Sequence, residues 1–349
     1  MIGMQSNHRD KVLRWGIIST ARINRRIIPR IKEAPRSELL AVGGRDPERT
    51  RKFADRWEIA RRFPSYDALL DDPDINTVYI PLPNIMHCEW VIRAARAGKN
   101  ILCEKPLGLS VAEIDQMVTG ARENGVVLLE AMAYRMHPQY LRLKELLDDD
   151  FIGKIRMIRA HFCFTLPDGN GNIRWSEELG GGVLRDVGCY PISFARAVAG
   201  SLPLEVSACQ VKGPTGVDIL SACQLLFPGG MIAELDCSFV LPFGVRVEVV
   251  GERGVLRLPN PWQPDIDGKS SGLIHIAPDD TETVIPTRVV DPYLCEIEAM
   301  EKAVLDGELL EYSLSESRDN AEIIAECYRL ARVGNVGRGV KKLKVPKVP

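Results

Sequence analysis

No stretch of the chain is apolar for long enough to cross a bilayer, and no charge of either sign dominates: 45 basic residues face 47 acidic ones, for a net charge of −2. The first absence excludes a helical membrane protein. The second removes the basic excess that drives nucleic-acid binding through phosphates, so neither a membrane nor a nucleic acid is expected as partner. The polar start, Met1 to Arg14, lacks the apolar stretch of a secretory signal and points to the cytoplasm. Metal-ligand spacings are missing too. His8, His87, His137, His161 and His275 form no His-Glu-x-x-His or other close pair, so no metal is expected. No Cys-x-x-Cys occurs among nine scattered cysteines, mostly flanked by apolar residues. That argues against the disulfide framework of small secreted domains and for buried, reduced thiols. No internal repeat is found.

What is present suits two soluble globular domains: 349 residues, 45% hydrophobic and 26% charged. In the first half, short strands alternate with helical patterns. The strands read as 12–18, 39–42, 77–82, 100–103 and 126–129, with helices over 25–32, 46–57, 88–97 and from Ser110 to Glu123. Ser110 and Glu113 have the spacing of a capping box. Charge-free strand centres separated by helices predict a parallel sheet covered on both faces, a doubly wound α/β (Rossmann) domain. A helix over 138–147 leads into a second regime. There strands read as 155–164, 204–211, 219–227, 231–239, 245–249 and 255–258, the third and fourth joined as a hairpin through Pro228-Gly229-Gly230. Helices resume at 296–305 and 317–332. The expected organisation is a dinucleotide domain over 1–135, then an α+β substrate and oligomerisation domain with an open, largely antiparallel sheet over 136–315. A C-terminal helix over 316–333 and a basic, frayed tail over 334–349 complete it. Strands 219–227 and 231–239 keep apolar residues on both faces in places, which predicts a homodimer or homotetramer through that sheet.

Ligands of an open parallel sheet bind at the strand carboxyl ends. The turn after the first strand is Ser19-Thr20-Ala21-Arg22-Ile23-Asn24, with no glycine at 19, 21 or 24, where a Gly-x-Gly-x-x-Gly fingerprint wants them. On that motif alone it is an ordinary strand–helix turn, although Ser and Ala are small enough for close approach. The second strand ends in Gly44-Arg45 rather than the acidic residue that binds a ribose 2′-hydroxyl. Arg45 suits a 2′-phosphate, or is a solvated loop residue. Two further strand ends face the crevice: Pro81-Leu82-Pro83-Asn84 running to His87, and Glu104-Lys105-Pro106, whose Lys-Pro bond is a candidate for cis. Lys105 either has chemical work or leaves the sheet into water. Farther on, Gly180-Gly181-Gly182 precedes Asp186 and Tyr190, which share a face if that segment is helical. Tyr190 with Asp186 and an incoming Lys105 would make an acid/base set, the lysine charge lowering the tyrosine pKa; the plain alternative is a capping Asp and a packed Tyr.

Together these landmarks resemble the glucose-fructose oxidoreductase / inositol dehydrogenase / rhizopine-catabolism family of NAD(P)-dependent enzymes, over residues 13 to about 332. They are Arg14-Trp15-Gly16-Ile17-Ile18-Ser19-Thr20-Ala21-Arg22-Ile23, Glu104-Lys105-Pro106, and Gly180-Gly181-Gly182 with Asp186-Val187-Gly188-Cys189-Tyr190. The opening and the tyrosine at 190, where many inositol-type members carry His, resemble the branch of NADP-dependent xylose and dihydrodiol dehydrogenases. The resemblance implies an oxidoreductase moving a hydride between NADP(H), with NAD(H) as the alternative, and a carbinol or carbonyl carbon of a sugar or polyol. Lys105 and Tyr190 would be catalytic and Asp186 would orient them. Ser19 to Ile23, Arg45, Pro81, Leu82, Asn84, His87, Glu104, Lys105 and Arg174 would meet the cofactor. Tyr134 and Arg135, at the hinge, would join Asp186 and Tyr190 at the substrate. A dehydrogenase of cyclic non-sugar diols and a non-catalytic sensor of the same fold are the alternatives; the presence of both Lys105 and Tyr190 favours an enzyme.

Overall fold

The charge-free runs of the first half form one parallel sheet in the computed structural model, which describes residues 12–167, 171–266, 268 and 272–335. Its strands are β1 (Leu13–Ile18), β2 (Ser37–Gly43), β3 (Arg61–Phe63), β4 (Thr77–Ile80), β5 (Asn100–Cys103) and β6 (Leu128–Glu130), ordered β3-β2-β1-β4-β5-β6. All pairs are parallel. Every residue of β4 is buried, as a strand covered on both faces requires. The covering helices are α1 (Asn24–Glu33), α2 (Pro47–Trp57), α3 (Tyr66–Leu70), α4 (His87–Arg96) and α5 (Val111–Glu123). Asp46 caps α2 by accepting from the Arg49 N–H, and Ser110 caps α5 by accepting from the Glu113 N–H. The Glu113 carboxylate returns to Leu109 rather than to Ser110, so only half of the expected box forms. Strand order reverses between β1 and β4, which opens a crevice at their carboxyl ends.

The second half contains α6 (Pro138–Asp148), β7 (Ile155–Thr165), α7 (Cys189–Ala199), β8 (Glu205–Lys212), β9 (Asp218–Leu226), β10 (Ile232–Ser238), β11 (Val240–Gly251), β12 (Gly254–Leu258), β13 (Leu273–Ile276), β14 (Glu282–Ile285), α8 (Pro292–Glu301), α9 (Leu314–Leu330) and β15 (Arg332–Asn335). Its nine strands form an open sheet ordered β14-β13-β12-β11-β7-β10-β9-β8-β15. The pairs are antiparallel except β7–β10 and β8–β15. The 219–239 hairpin is present, with Leu226 opposite Ile232. Helix α8 packs on α1 and α9 on α5 and α7, so one buried cluster runs from Leu13 and Trp15 to Cys327. Among the described residues, no helix is long and apolar enough to cross a membrane.

Three expectations need correction. Strand β3 makes six strands, not five; its Arg61-Arg62-Phe63 has no apolar run to betray it. The C-terminal helix stops at Leu330 and the chain turns into β15; the rest of the expected tail, from 336, lies outside the described residues. The outer face of the second sheet is charged across its middle strands and apolar only in places. Strand β10 buries Ala233, Leu235 and Cys237 and exposes Ile232, Glu234 and Asp236. Arg159 lies 3.8 Å from both Glu234 and Glu248, and Arg257 bridges Glu248 at 3.0 Å and Glu282 at 2.9 Å. That charged ladder is at home in water, so the middle of this face offers no continuous apolar surface.

Candidate active site

A cavity of about 1230 Å3 lies between the carboxyl ends of the first sheet and the second half of the chain. At its cofactor end runs the β1–α1 turn. Ser19 has φ +104, the region the missing glycine would supply. It is pinned there: its N–H donates to Gly43, its Oγ to the Pro81 carbonyl at 3.2 Å, and its own carbonyl accepts from buried Asn24 Nδ2 at 2.9 Å. Among the described residues, the N–H groups of Thr20, Ala21, Arg22 and Ile23 donate to nothing in the chain. Four free amides at the N-terminus of α1 form an anion-binding arrangement. Gly44 lies packed on Thr50, whose Oγ1 would be 2.1 Å from an added Cβ. Arg45 follows it, exposed on the rim. Arg49, one turn into α2, donates to the Thr20 carbonyl at 3.3 Å and flanks the same space. Arg49 escaped the sequence reading; its place four residues after Arg45 was the available signal.

The chemical centre is an ion triad under an aromatic wall. Lys105 ends the β5 segment at a cis peptide to Pro106. Its ammonium donates to Asp186 Oδ1 at 3.2 Å and to the Asp186 backbone carbonyl, and it sits 5.3 Å from the Tyr190 ring centroid. Asp186 Oδ2 accepts from Arg174 Nε at 2.6 Å. Burial alone would raise the Asp186 pKa, but Lys105 and Arg174 outweigh it and hold the carboxyl below its usual range. Burial opposes the Lys105 charge, yet Asp186, Cys189 and Glu104 leave its pKa above the ordinary value. Glu104 is pushed upward by burial, only partly offset by Lys105 and by the hydroxyl of Tyr79 at 2.5 Å.

Asp186 and Tyr190 do share one local segment, but it is a π-helical turn, Leu184–Gly188, running into α7. Such turns recur at functional sites. The three glycines before it are needed. Gly180 and Gly182 have φ of +76 and +112, and a Cβ on Gly181 would lie 2.5 Å from the Arg174 carbonyl. Tyr190 borders the cavity against Phe162 and Trp262, with ring centroids 5.7 and 5.8 Å away. Its pKa is not lowered as expected. Burial raises it well above the ordinary value, and Tyr293, Cys189, Glu104 and Asp186 add to the rise. The Lys105 ammonium is hydrogen-bonded to Asp186 and lies 5.3 Å from the Tyr190 ring centroid.

Ser19 to Ile23, Arg45, Pro81, Leu82, Asn84, Glu104, Lys105, Arg174, Asp186 and Tyr190 all border the cavity. Asn84 also donates to the Gly180 carbonyl at 2.8 Å, tying the two halves together. Three expected contacts do not reach it. His87 is fully buried, its ring nitrogens each 2.9 Å from the carbonyls of Pro106 and Leu82; it braces two crevice loops from below. Tyr134 is buried and donates to Ser193 Oγ at 3.1 Å. Arg135 lies between the rings of Tyr140 and Tyr312 and pairs with Glu316 at 3.0 Å. Ala131 and Ala133 line the cavity in their stead.

Comparison with known proteins agrees with this geometry. Residues 13–132 match the oxidoreductase family with an NAD-binding Rossmann fold, and residues 140–257 match the GFO/IDH/MocA C-terminal domain. The chain is 35% identical to D-xylose 1-dehydrogenase (NADP(+)) 2 of Haloferax volcanii, covering 92% of this chain and 98% of that one. It is 32% identical to trans-1,2-dihydrobenzene-1,2-diol dehydrogenase of Xenopus laevis, over 74% and 80% of the two. The crystal structure of KijD10, a 3-ketoreductase from Actinomadura kijaniata in complex with NADP and TDP-benzene, superposes with a TM-score of 0.85 at 29% identity, covering 93% and 99%. The sheet order, the cavity at its switch point and these matches place the chain in one group: it is an oxidoreductase of the GFO/IDH/MocA family.

Proposed function

We propose that this chain moves a hydride between NADP(H) and a carbinol or carbonyl carbon of a sugar or polyol. The observation that carries the reading is the Lys105–Asp186–Arg174 triad set against Tyr190 on one wall of a cavity whose other end is a free-amide turn beside Arg45 and Arg49. The cofactor end fits the dinucleotide. Four unused N–H groups suit a pyrophosphate, and a rim arginine where a carboxylate would repel suits a 2′-phosphate. When bound, the nicotinamide supplies the hydride acceptor or donor. Lys105, kept protonated by Asp186, stabilises negative charge developing on the substrate oxygen. Tyr190, kept protonated by burial, gives its proton to that oxygen during carbonyl reduction and recovers one during oxidation. The aromatic wall of Phe162, Phe164 and Trp262 supports a second substrate class, cyclic diols, whose flat faces it would cover.

Stopped-flow reduction of NADP+ by a panel of sugars and diols tests the reading. Tyr190→Phe keeps the ring and should lower turnover about 10²- to 10⁴-fold while NADP+ still binds. Arg45→Ala should weaken NADP+ about ten- to a hundredfold and leave NAD+ unchanged. Near-normal turnover by the Tyr190→Phe variant would remove the mechanism.

A further inference from the structure

The turn that carries Asp186 and leads into α7 with Tyr190 is held from behind by groups outside the cavity. Asp218, the first residue of β9, is 3% exposed. Its Oδ2 accepts the N–H of Leu184 at 2.8 Å, and its Oδ1 accepts the hydroxyl of Tyr328, on α9, at 2.8 Å. A Cβ on Gly182 would lie 2.1 Å from that same Oδ1, so the carboxylate fills space that only glycine leaves. Leu184 opens the π-helical turn, where backbone donors have no partner inside the helix. Two residues on, the Asp186 carbonyl and carboxylate both receive Lys105. At the far end, a Cβ on Gly188 would lie 2.9 Å from Cys237 Sγ. On the α9 side, the Arg185 guanidinium lies 4.8 Å from the Tyr328 ring centroid. The turn is thus gripped at its start, on its flank and at its end. A shift at its start would move the acceptor of Lys105 and the Tyr190 hydroxyl together.

We infer that Asp218, braced by Tyr328, is a positioning residue for the hydride transfer, setting the height of the turn that presents Asp186 to Lys105 and Tyr190 to the cavity. The inference rests on the roles proposed above for Lys105 and Tyr190. Asp218 does not line the cavity.

Three variants of the full chain test it: Asp218→Ala, Asp218→Asn and Tyr328→Phe. Four quantities are measured: hydrogen exchange at the Leu184 amide, the acetylation rate of Lys105 read by peptide mass, NADP+ affinity, and kcat with KM. In Asp218→Ala, Leu184 should exchange about tenfold faster and Lys105 should label several-fold faster. Its kcat should fall by about 30- to 100-fold, with KM and NADP+ affinity within about threefold. Asp218→Asn, whose amide oxygen still accepts the Leu184 N–H, should recover kcat to within about tenfold of the parent. Tyr328→Phe should fall between the parent and Asp218→Asn in labelling. That order decides the matter if Asp218→Ala does not fold. Parent-like Leu184 exchange and Lys105 labelling in the least active folded variant would overturn the inference. So would Ala and Asn variants that lose melting temperature and NADP+ affinity alike, the mark of a role in folding alone. If no carbinol reduces NADP+ in the parent, the proposed function fails, while exchange and labelling still report on the clamp.

Discussion

Replacing Asp186 by Asn removes the one carboxylate between Lys105 Nζ, at 3.2 Å, and Arg174 Nε, at 2.6 Å. The two cations then fare differently. Arg174 has a side chain 44% exposed and is rescued by water, whereas that of Lys105 is 13% exposed and is not. The cost is therefore set by Lys105. Breaking a buried pair costs about 3–5 kcal/mol, and the low end applies because the Asp186 carbonyl still accepts from the ammonium. For a chain of this length that is a fall of roughly 3–6 °C in Tm. Lys105→Met should cost less, about 1–2 kcal/mol, because Asp186 keeps Arg174. The double variant should lose less than the sum, with a coupling energy of about 1.5–3 kcal/mol in a urea double-mutant cycle at unchanged m-value. Additive losses, with coupling below about 0.5 kcal/mol, would refute the triad as the source of these shifts. The pH dependence has two limbs. The Asp186 pKa is lowered on folding, so its contribution is present above the unfolded carboxylate value and is lost as pH falls through the folded one. The Lys105 pKa is raised, so its contribution is complete below the unfolded lysine value and is lost as pH rises through the folded one.

Two other substitutions follow from the same geometry. Asn24→Ala removes the donor that pins the Ser19 carbonyl, and should cost about 1–2 kcal/mol and weaken NADP+ about tenfold; calorimetry and fluorescence titration measure both. Glu296 is fully buried, with neither carboxyl oxygen hydrogen-bonded among the described residues, and burial, then Glu104 and Asp291, raise its pKa well above the ordinary value. With its folded-state value raised, this group lowers stability as pH rises above the unfolded carboxylate value of about 4.3. Glu296→Gln should gain Tm over the parent, and the gain should grow from pH 5 to pH 8; a pH-independent difference would show that Glu296 is already ionised in the fold.

Much of this molecule is readable from residue patterns, and what is not depends on contacts distant in sequence or on side-chain direction. Asn100–Cys103 reads to the residue, and the hairpin around Gly229 and the crevice-facing ends of four strands are legible because each is a local signal. Lys105, Asp186 and Tyr190 suggest a set by residue type alone, whereas Arg174 enters only through the family resemblance, as a cofactor contact. Nothing in the spacing of Lys105, Arg174 and Asp186 shows that Gly180 to Gly182 fold the third onto the first two. Tyr134, Arg135 and His87 were misplaced for the converse reason. A position near a strand end says that a residue is close to the crevice, not that its side chain turns toward it, and these three turn into the core. Arg61–Phe63 and Arg332–Asn335 are strands by pairing with neighbours, without hydrophobic periodicity of their own. The charged ladder of the second sheet depends on which face each residue of β7, β10, β11 and β12 presents, and a one-residue change of register reverses that.

The packing of α8 on α1 also bears on how the chain is made. Ile27, Ile28 and Ile31 of α1 lie in the same buried cluster as Ile297 and Met300 of α8, yet α8 is synthesised long after β6 completes the first sheet. At roughly 5–20 residues per second, the interval on the ribosome is on the order of ten seconds or more. Throughout it the side of α1 on which α8 packs has no covering helix. A chain arrested at Asp291 should therefore be retained by chaperones and aggregate when released, whereas one extended past Leu330 should not. The last helices made, α8 and α9, are then the ones that cover α1 and α5.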